Sequence, residues 1–319
     1  MNEPMRADGP GTFVIVNPQA GSGRAGRRWP DLSKRLRDAI GDFDHALTSG
    51  SGDATRLARQ AIDSGADLVV AVGGDGTISE AVQGFADDKN GLRQGCAFAA
   101  IGAGTGADFV RSLQPGKPGH DPVAAIASGR QRRIDLGHVT CRNAEGQSES
   151  RLFINIASLG LSGTVDRAVN RRHPGWLPGR LAYYGATLSA LRRHQPATVR
   201  LTIDAEPALT LDVHMVAIAN GQFFGGGMRV APQARLDSGE FEIIILRGGS
   251  KWTLVRDLGQ VYRGTHMDHP MIIARRGRRI VAEAVDQPGT RVPVDIDGES
   301  PGDLAARFEI LPGALVLRQ

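Results

Sequence analysis

The sequence predicts a doubly wound α/β domain followed by a β-rich second domain. In the first part, apolar runs at residues 12–17 and 67–72 alternate with helical spacing at residues 28–40 and 54–64. This alternation is typical of a mostly parallel sheet with helices on its faces. After Ile134 the strand-like runs follow one another with few helices between them. The 319 residues also exceed the roughly 250–300 at which a single core stops growing, so two domains are expected.

The first domain is predicted to span residues 11–135 and the second residues 136–304, while a C-terminal strand segment, 305–319, is expected to return to either domain. Further predicted elements of the first domain are a strand at 43–47, a helix N-cap at Asp53, a helix that follows a glycine run and extends through Ala86, and a strand at 97–101. Later strands are predicted at 134–140, 151–157, 199–204, 209–219, 241–246, 279–285, 291–296 and 308–317, with one helix at 180–193. Because no long flexible linker is visible, we expect an active-site cleft between the domains.

Composition excludes several classes of function. The two cysteines, Cys96 and Cys141, form no CxxC pair, so the sequence offers neither a zinc site nor a disulfide framework and favours a reducing cytoplasm. The first ten residues lack the apolar core of a signal peptide, and no apolar run approaches the roughly 20 residues that span a bilayer. The net charge of +4 rests on arginine and indicates attraction to phosphate. With 5% aromatic residues and no recognised binding motif, nucleic acid is not an expected partner.

The strongest local signal is the run Gly73-Gly74-Asp75-Gly76-Thr77, which follows an apolar strand and precedes a predicted helix. Glycines let backbone N–H groups approach phosphate oxygens, and the start of a helix adds a favourable dipole. Thr77 adds a hydroxyl donor, and a carboxylate at Asp75 beside phosphate indicates an intervening Mg²⁺. The alternative is an ordinary strand-to-helix turn in which Asp75 caps the helix.

A second loop, residues 104–109 (GTGADF), follows the next predicted strand and supplies Thr105 and Asp108. Because successive strand ends line one crevice of a doubly wound sheet, Asp75 and Asp108 are expected to face one Mg²⁺–nucleotide complex. The alternative for Asp108 is a helix N-cap, and the two roles are compatible.

Taken in order along the chain, these motifs resemble those of the diacylglycerol kinase catalytic family, which includes bacterial lipid kinases and the sphingosine and ceramide kinases. The shared motifs are Asn17-Pro18, Gly21-Ser22-Gly23, Thr48 with Gly52-Asp53, GGDGT at 73–77, GTGADF at 104–109, Phe153-Ile154-Asn155 with Gly160, Asn220-Gly221, Gly225-Gly226-Gly227, Ala231-Pro232 with Ala234, and Asp297-Gly298-Glu299. The resemblance covers nearly the whole chain, and the ordered set is far more specific than any one motif. It implies an NAD-kinase-like fold for the first domain and an ATP-dependent lipid kinase.

The resemblance also implies roles for single residues. The positions that match ATP-binding ones are Asn17, Thr48, Gly73, Gly74, Asp75, Gly76, Thr77, Ile78, Ser79 and Thr105. Asp75, Asp108 and Asp135 match acidic positions of the Mg²⁺–nucleotide site. Glu299 matches the proton acceptor for the lipid hydroxyl, so Glu299, Asp75 and Asp108 are the expected catalytic residues. A carboxylate suits that role, since phosphoryl transfer needs an oriented nucleophile more than a strong base. Taken alone, the pair Asp297-Gly298 predicts only a hairpin turn.

Two positions depart from the family pattern. Ala107 stands where the family usually has asparagine, which removes a side-chain hydrogen bond. Ser238 stands where a carboxylate of a structural Mg²⁺ site is expected, and a neutral hydroxyl is a far weaker ligand. A structural Mg²⁺ is therefore left in question, with Asp237 as the remaining candidate ligand.

The expected reaction is transfer of the γ-phosphate of ATP to a lipid alcohol, with diacylglycerol as the first candidate and sphingoid bases or ceramide as alternatives. An NAD kinase stays open because such enzymes share the GGDGT run, and so does a protein that binds nucleotide or lipid without turnover. The run at residues 21–26 fits GxGxxG, but no acid ends a second strand about 20 residues further on, which disfavours a dehydrogenase.

A kinase of this kind is expected to be cytoplasmic and to contact an anionic membrane surface peripherally. The candidate contacts are Arg171, Arg172, His173, Trp176, Leu177, Arg180, Leu181, Tyr183, Tyr184, Arg192, Arg193, Arg275, Arg276, Arg278 and Arg279. The loop around Trp176 is the preferred contact, whereas residues 183–191 are expected to form a core helix. A homodimer stays open.

Overall fold

The computed structural model describes residues 11–87, 91–103, 107–113, 121–160, 195–249, 259–285 and 291–319. The chain divides into two compact units. The first contains the residues up to Ile134 together with Gly313–Gln319, and the second is Asp135–Pro312. The boundary at which the chain returns to the first unit lies between residues 312 and 313. The sequence predicts the start of the C-terminal segment at residue 305.

The first unit is built on a parallel sheet with the strand order β14-β4-β3-β1-β2. Its strands are β1 (Thr12–Val16), β2 (Asp44–Leu47), β3 (Leu68–Gly73), β4 (Ala97–Gly102) and the last residues of β14 (Glu299–Arg318). Val16 lies opposite Val72, and Gly73 lies opposite Gly102. Every residue of β3 is buried, which explains why this strand reads as a continuous apolar run.

The helices of the first unit are α1 (Ala20–Ile40), α2 (Asp53–Asp63), α3 (Asp75–Gln83), α4 (Asp108–Leu113) and α5 (Pro122–Ala127). Trp29 and Leu36 of α1 pack into one apolar cluster with residues of β1, β3 and β4. Apart from the consecutive helices α4 and α5, strand and helix alternate through this unit, and only Gly74 separates β3 from α3. Among the described residues of the chain, no helix has both the length and the apolar character needed to cross a membrane.

The second unit is almost wholly antiparallel β-structure. Its strands are β5 (Gln131–Arg142), β6 (Ser148–Phe153), β7 (Ile156–Gly160), β8 (Ala197–Ile203), β9 (Leu209–Ala219), β10 (Phe241–Arg247), β11 (Ile272–Gly277), β12 (Arg279–Ala284), β13 (Pro293–Ile296) and the first part of β14. The pairings run in a closed circuit, β7-β9-β8-β12-β14-β13 and back to β7. β10 and β11 extend the sheet beyond β9.

Within the described part of the second unit, the core is formed by two apolar clusters. The larger contains Phe153, Phe241 and Phe308, and the rings of Phe153 and Phe241 stack with their centroids 5.5 Å apart. The smaller joins Ile156 and Ile244 to residues from the 224–234 segment and the 261–272 segment. Several polar side chains are nevertheless buried in this unit, namely Asp135, Asn155, Ser158, His214, Asn220, Glu242, His266 and Asp295. Buried polar groups require partners, so they mark places where the backbone is held by side chains.

The predicted fold class, an α/β domain followed by a β-rich domain, is confirmed by these elements. Some local predictions were wrong. Asp53 is the first residue of α2, and Gly52, in the left-handed region at φ 80°, is the N-cap. The predicted strand 151–157 is two strands, because the chain leaves the ladder at Ile154 and Asn155. The helix predicted at 180–193 lies outside the described residues.

Candidate functional site

The glycine run forms the junction between β3 and α3. Gly73 ends the strand, and Gly74 is the extended N-cap of the helix. A Cβ on Gly73 would lie 2.5 Å from the Cβ and Oγ1 atoms of Thr77, so this glycine is required by packing. Gly76 is exposed, and a Cβ there would meet nothing within 4 Å. Open space therefore adjoins the first turn of α3, where backbone N–H groups lack acceptors within the helix.

Asn17 and Thr77 join the end of β1 to the first turn of α3. The side-chain amide of Asn17 donates to the Thr77 hydroxyl over 2.9 Å, and the Asn17 backbone N–H donates to the carbonyl of Val72 over 2.9 Å. Because Asn17 supplies a donor to the Thr77 oxygen, the hydroxyl hydrogen of Thr77 is directed away from Asn17. Thr77 can donate that hydrogen to an oxygen atom of a ligand bound at the start of α3.

Asp75 links the start of α3 to the start of α4. Its Oδ1 atom accepts a hydrogen bond of 3.1 Å from the backbone N–H of Phe109, the residue after Asp108. The side chain of Asp108 is buried, and its Oδ1 accepts from Arg111 over 2.7 Å. The reading of Asp75 as an N-cap is wrong, since Gly74 holds that place without a side-chain cap and Asp75 is the first helical residue.

The loop that carries Thr48 is fixed against α3. The backbone N–H of Thr48 donates to the carbonyl of Val16 over 2.8 Å. Asp53 accepts from the backbone N–H and hydroxyl of Ser49, and the Ser49 N–H lowers the pKa of the Asp53 carboxyl. Glu80 of α3 accepts from the backbone N–H of Ala54 over 3.3 Å. Sequence reasoning missed Glu80, although a glutamate on a helix flanked by buried residues was a signal for a specific partner.

The remaining predicted nucleotide contacts differ in their surroundings. The side chains of Ile78 and Ser79 are buried inside the first unit, so the backbone is what they offer to a ligand. Thr105, like the membrane-contact candidates between Arg171 and Arg193, lies outside the described residues. Ala107 is described and has a left-handed backbone at φ 51°, a conformation that asparagine adopts more readily than alanine.

In the second unit, Asp297 and Gly298 form a two-residue hairpin turn between β13 and β14. Both have positive φ, 50° and 92°, as a type I′ turn requires. Ile296 and Glu299 are paired on either side of it. The hairpin predicted from the Asp-Gly pair is therefore present, and Glu299, which is partly buried, is the first residue after the turn.

The Asp297 carboxylate holds the irregular backbone between β6 and β7. It accepts three backbone hydrogen bonds, from Ile154 at 2.9 Å, Asn155 at 3.1 Å and Ile156 at 3.0 Å. On the other side, the carbonyl of Asn155 accepts from the backbone N–H groups of Asn220 and Gly221, both at 2.9 Å. The motifs at 153–155, 220–221 and 297–299 are thus parts of one hydrogen-bonded assembly, which the sequence did not reveal.

Asp135 belongs to the second unit, where it binds the turn that carries Asp237 and Ser238. Its Oδ2 accepts from the N–H of Gly239 over 2.6 Å, and its carbonyl accepts from the Asn220 side chain over 2.8 Å. Asp237 is exposed and forms an ion pair with Arg235 at 3.3 Å. The Ser238 hydroxyl donates to backbone carbonyls of the same turn. Hydrogen bonds hold this turn, and the metal-ligand roles of Asp135 and Asp237 stay predictions.

The acidic residues near the start of α3 decide whether a Mg²⁺–nucleotide complex would fit there. Across the described ranges, no group of three or more His, Cys, Asp or Glu side chains is arranged to hold a metal ion. Mg²⁺ commonly takes one or two carboxylates together with substrate phosphate oxygens, so a three-ligand cage is not required. Asp75 adjoins the open space at Gly76, and this position suits such a ligand. The side chain of Asp108 is buried and paired with Arg111, so it suits a supporting position better.

Two family models match the chain. Residues 11–139 match the model described as diacylglycerol kinase catalytic domain, and residues 155–319 match the YegS C-terminal NAD kinase beta sandwich-like domain. The second match alone extends over half of the chain. Together they account for the α/β unit and for the β-rich unit.

Curated relatives are similar over almost their full length. A diacylglycerol kinase of Mycobacterium tuberculosis (strain ATCC 25618 / H37Rv) is 30% identical over 96% of this chain and 94% of the relative. A diacylglycerol kinase of Staphylococcus carnosus (strain TM300) is 26% identical over 92% of this chain and 90% of the relative.

Among solved structures, a putative diacylglycerol kinase from Bacillus anthracis str. Sterne superposes with a TM-score of 0.75 at 25% identity, covering 96% of both chains. Yeast NADH kinase has a TM-score of 0.50 at 14% identity, covering 95% of this chain and 78% of the other. At that identity the second likeness shows the fold alone.

Proposed function

The chain belongs to the diacylglycerol kinase family, and from this premise we propose that it transfers the γ-phosphate of ATP to the hydroxyl of diacylglycerol. Family membership makes the protein a lipid kinase, whereas the identity of the acceptor is the proposed step. The observation that best supports nucleotide binding is the junction between β3 and α3. There, the buried Thr77 hydroxyl accepts a hydrogen bond from Asn17 and lies next to the exposed Gly76.

We assign nucleotide binding to the first unit. The first-turn N–H groups of α3 would receive phosphate oxygens, because these groups are without helical acceptors and point along the favourable end of the helix dipole. Thr77 would add its hydroxyl hydrogen, and Asn17 fixes the direction of that hydroxyl. Mg²⁺, when bound with the nucleotide, would neutralise the charge that develops on the transferred phosphoryl group. Asp75 is the residue we assign to hold it.

We assign activation of the acceptor to Glu299. A carboxylate within hydrogen-bond reach of an alcohol orients its oxygen toward the phosphorus atom and accepts the proton as the new P–O bond forms. The position of Glu299 directly after the two-residue turn supports this role, because its pairing with Ile296 fixes where its strand begins. The side chain would bind the substrate hydroxyl, and no covalent enzyme intermediate is required.

The acceptor is tested by incubating the protein with γ-labelled ATP and Mg²⁺ and, in separate reactions, diacylglycerol, sphingosine, ceramide and NAD. Label in phosphatidic acid supports the proposal. If the label is found mainly in a phosphorylated sphingoid base or in ceramide phosphate, that lipid is the acceptor and the proposed phosphoryl transfer still holds. Label only in NADP overturns the proposal in favour of an NAD kinase. ATP binding without labelled product from any acceptor indicates a protein without turnover.

We further propose that the protein works in the cytoplasm and meets its lipid at the surface of an anionic membrane. This is supported by four exposed arginines on β11, on β12 and between the two strands, namely Arg275, Arg276, Arg278 and Arg279. Basic residues near an anionic surface contribute about 1 kcal/mol each to binding. A homodimer is compatible with this proposal, although it is not required by it.

A further inference from the structure

Asp297 precedes Glu299 by two residues, and its carboxylate is committed to the backbone of another segment. Three successive N–H groups, those of Ile154, Asn155 and Ile156, donate to it over 2.9–3.1 Å. In the opposite direction, the Asp297 N–H donates to the carbonyl of Ile156 over 3.0 Å. The turn is therefore bonded to one short stretch through both its side chain and its main chain.

The stretch 154–156, whose N–H groups donate to Asp297, is itself fixed. The Asn155 side chain donates to the carbonyl of Phe223 over 2.8 Å, and the carbonyl of Ile154 accepts from the Asn220 side chain over 2.9 Å. Asn155 and Asn220 are 5% and 1% exposed, so these bonds form away from water. Asp297 is thus attached to a rigid part of the second unit rather than to a flexible loop.

The left-handed backbone conformation of Asp297 helps to set the direction in which the chain enters β14 at Glu299. At φ 50° a non-glycine residue needs local support, and the three amides provide it by holding the carboxylate. If that carboxylate were released, the turn could relax toward other two-residue conformations. The Glu299 side chain would then leave the strand in a different direction, although Glu299 itself would be unchanged.

From these contacts we infer that Asp297 is a positioning residue for Glu299: it sets the direction of the proton acceptor and does not touch the substrate. This inference rests on the proposed function, because it gives Glu299 the role of receiving the proton of the acceptor hydroxyl. A purely structural role would lower kcat whether or not Glu299 is present. The positioning role predicts that kcat falls only while Glu299 is present.

The test variant is Asp297→Asn. Asparagine keeps the size of the side chain and favours left-handed turn positions, but its NH₂ group would face at least one backbone N–H in place of an acceptor oxygen. We expect kcat with the best lipid acceptor to fall by roughly 10- to 100-fold, as for small displacements of a reacting group. The KM for ATP should stay within about twofold, because Asp297 has no part in the first unit.

Asp204 offers a matched control in the same unit. It also has a left-handed backbone, at φ 51°, and its carboxylate accepts from the N–H groups of Arg278 and Arg279. Asp204→Asn removes the same kind of contact at a different turn, so it should lower thermal stability without lowering kcat. Hydrogen exchange should show lost protection at residues 154–156 in Asp297→Asn and at residues 278–279 in Asp204→Asn.

The decisive comparison repeats Asp297→Asn in a Glu299→Gln background. If Asp297 acts through Glu299, the second substitution causes no further fall in kcat. The same fold-loss in both backgrounds, or an equal loss of kcat in Asp204→Asn, would overturn the inference. A wild-type protein that phosphorylates no lipid would overturn the proposed function and this inference together. The exchange data would still report the Asp297 contact, so the two failures can be told apart.

Discussion

The side-chain amide of Asn17 donates a hydrogen bond to the hydroxyl of Thr77, 2.9 Å away and sixty residues later in the chain. This contact ties the end of β1 to the first turn of α3. It also determines which way the only hydroxyl of the glycine run can donate its hydrogen.

Thr77→Val tests this contact, because it keeps the shape of the side chain and removes the hydroxyl. The Asn17 amide would lose its acceptor, at a cost of about 1–3 kcal/mol in the free energy of unfolding. We expect the KM for ATP to rise about tenfold, the loss of one hydrogen bond to a charged group. Thr77→Ser retains the hydroxyl and should stay near the wild type in steady-state kinetics; equal defects in the two variants would contradict the role of the hydroxyl.

Gly76→Ala separates stability from nucleotide binding. Nothing lies within 4 Å of the added Cβ, and glycine in a helix is less favourable than alanine by up to about 1 kcal/mol, so the free energy of unfolding should rise slightly. The same methyl group would occupy the space assigned to phosphate, so ATP should bind more weakly in calorimetry. Gly259→Ala, where a Cβ also meets nothing within 4 Å, is the control that should leave ATP binding unchanged. Unchanged ATP binding in Gly76→Ala would place the phosphates elsewhere.

Glu299→Gln removes the proposed proton acceptor and keeps the size of the side chain. We expect kcat to fall by about 10²- to 10⁴-fold, the usual contribution of general base catalysis, with little change in the KM for ATP. Glu309→Gln is a control on the same strand, since Glu309 is a surface acid paired with Arg279 and Arg307. Full activity in Glu299→Gln would withdraw its assignment as the base.

Membrane contact is tested by sedimentation with vesicles that contain phosphatidylglycerol. Within the described part of the chain, Arg275 and Arg278 form no ion pair with an acid, so their charges are available to a membrane. Replacing both by Gln should weaken binding by about tenfold or more, and high salt should do the same. The control replaces Arg200 and Arg307, which are paired with Glu283 and Glu309 and are not among the proposed contacts. Equal losses in the two double variants would mean that only net charge matters.

Protonation of His266 is expected to destabilise the second unit in mild acid. Burial lowers the pKa of this histidine from 6.5, and its Nε2 lies 3.0 Å from the carbonyl of Val230. A lowered folded-state pKa gives stability that is present above pH 6.5 and lost as pH falls through the folded-state pKa. In urea unfolding between pH 7.5 and about 5.5, His266→Gln should therefore lose less stability than the wild type. His269→Gln should keep most of the wild-type slope, and an unchanged slope in His266→Gln would contradict the prediction.

The sheet of the first unit could be predicted because its strands are buried on both sides and therefore read as unbroken apolar runs. β3 is the clearest case. β11 was missed because Arg275 and Arg276, which face solvent, interrupt its apolar sequence. Among the described strands, β11 pairs with β10 alone. The break between β6 and β7 was missed because its cause, the Asp297 carboxylate, lies more than 140 residues away in the chain.

The candidate site likewise has a part that the sequence predicts and a part that it does not. The glycine run is a local signal, so both its position between strand and helix and its open space at Gly76 follow from nearby residues. The Asn17–Thr77 bond and the Asp297 assembly depend on contacts across long separations, for which one sequence holds no direct sign. The side-chain pairing of Asp108 with Arg111 was readable in principle, since residues three apart on a helix are neighbours.

Strand β14 has a consequence for the order in which the protein is made. Its residues Val316 and Leu317 pair with Ala97 and Phe98 of β4, and Leu317 is fully buried. These residues leave the ribosome after the entire second unit, so the first unit cannot complete its sheet while translation of that unit is under way. Until then the β4 edge carries unpaired backbone groups, the kind of edge that invites association with other chains. The nascent α/β unit is therefore expected to depend on chaperones for a period set by the 178 residues Asp135–Pro312 that are translated in between.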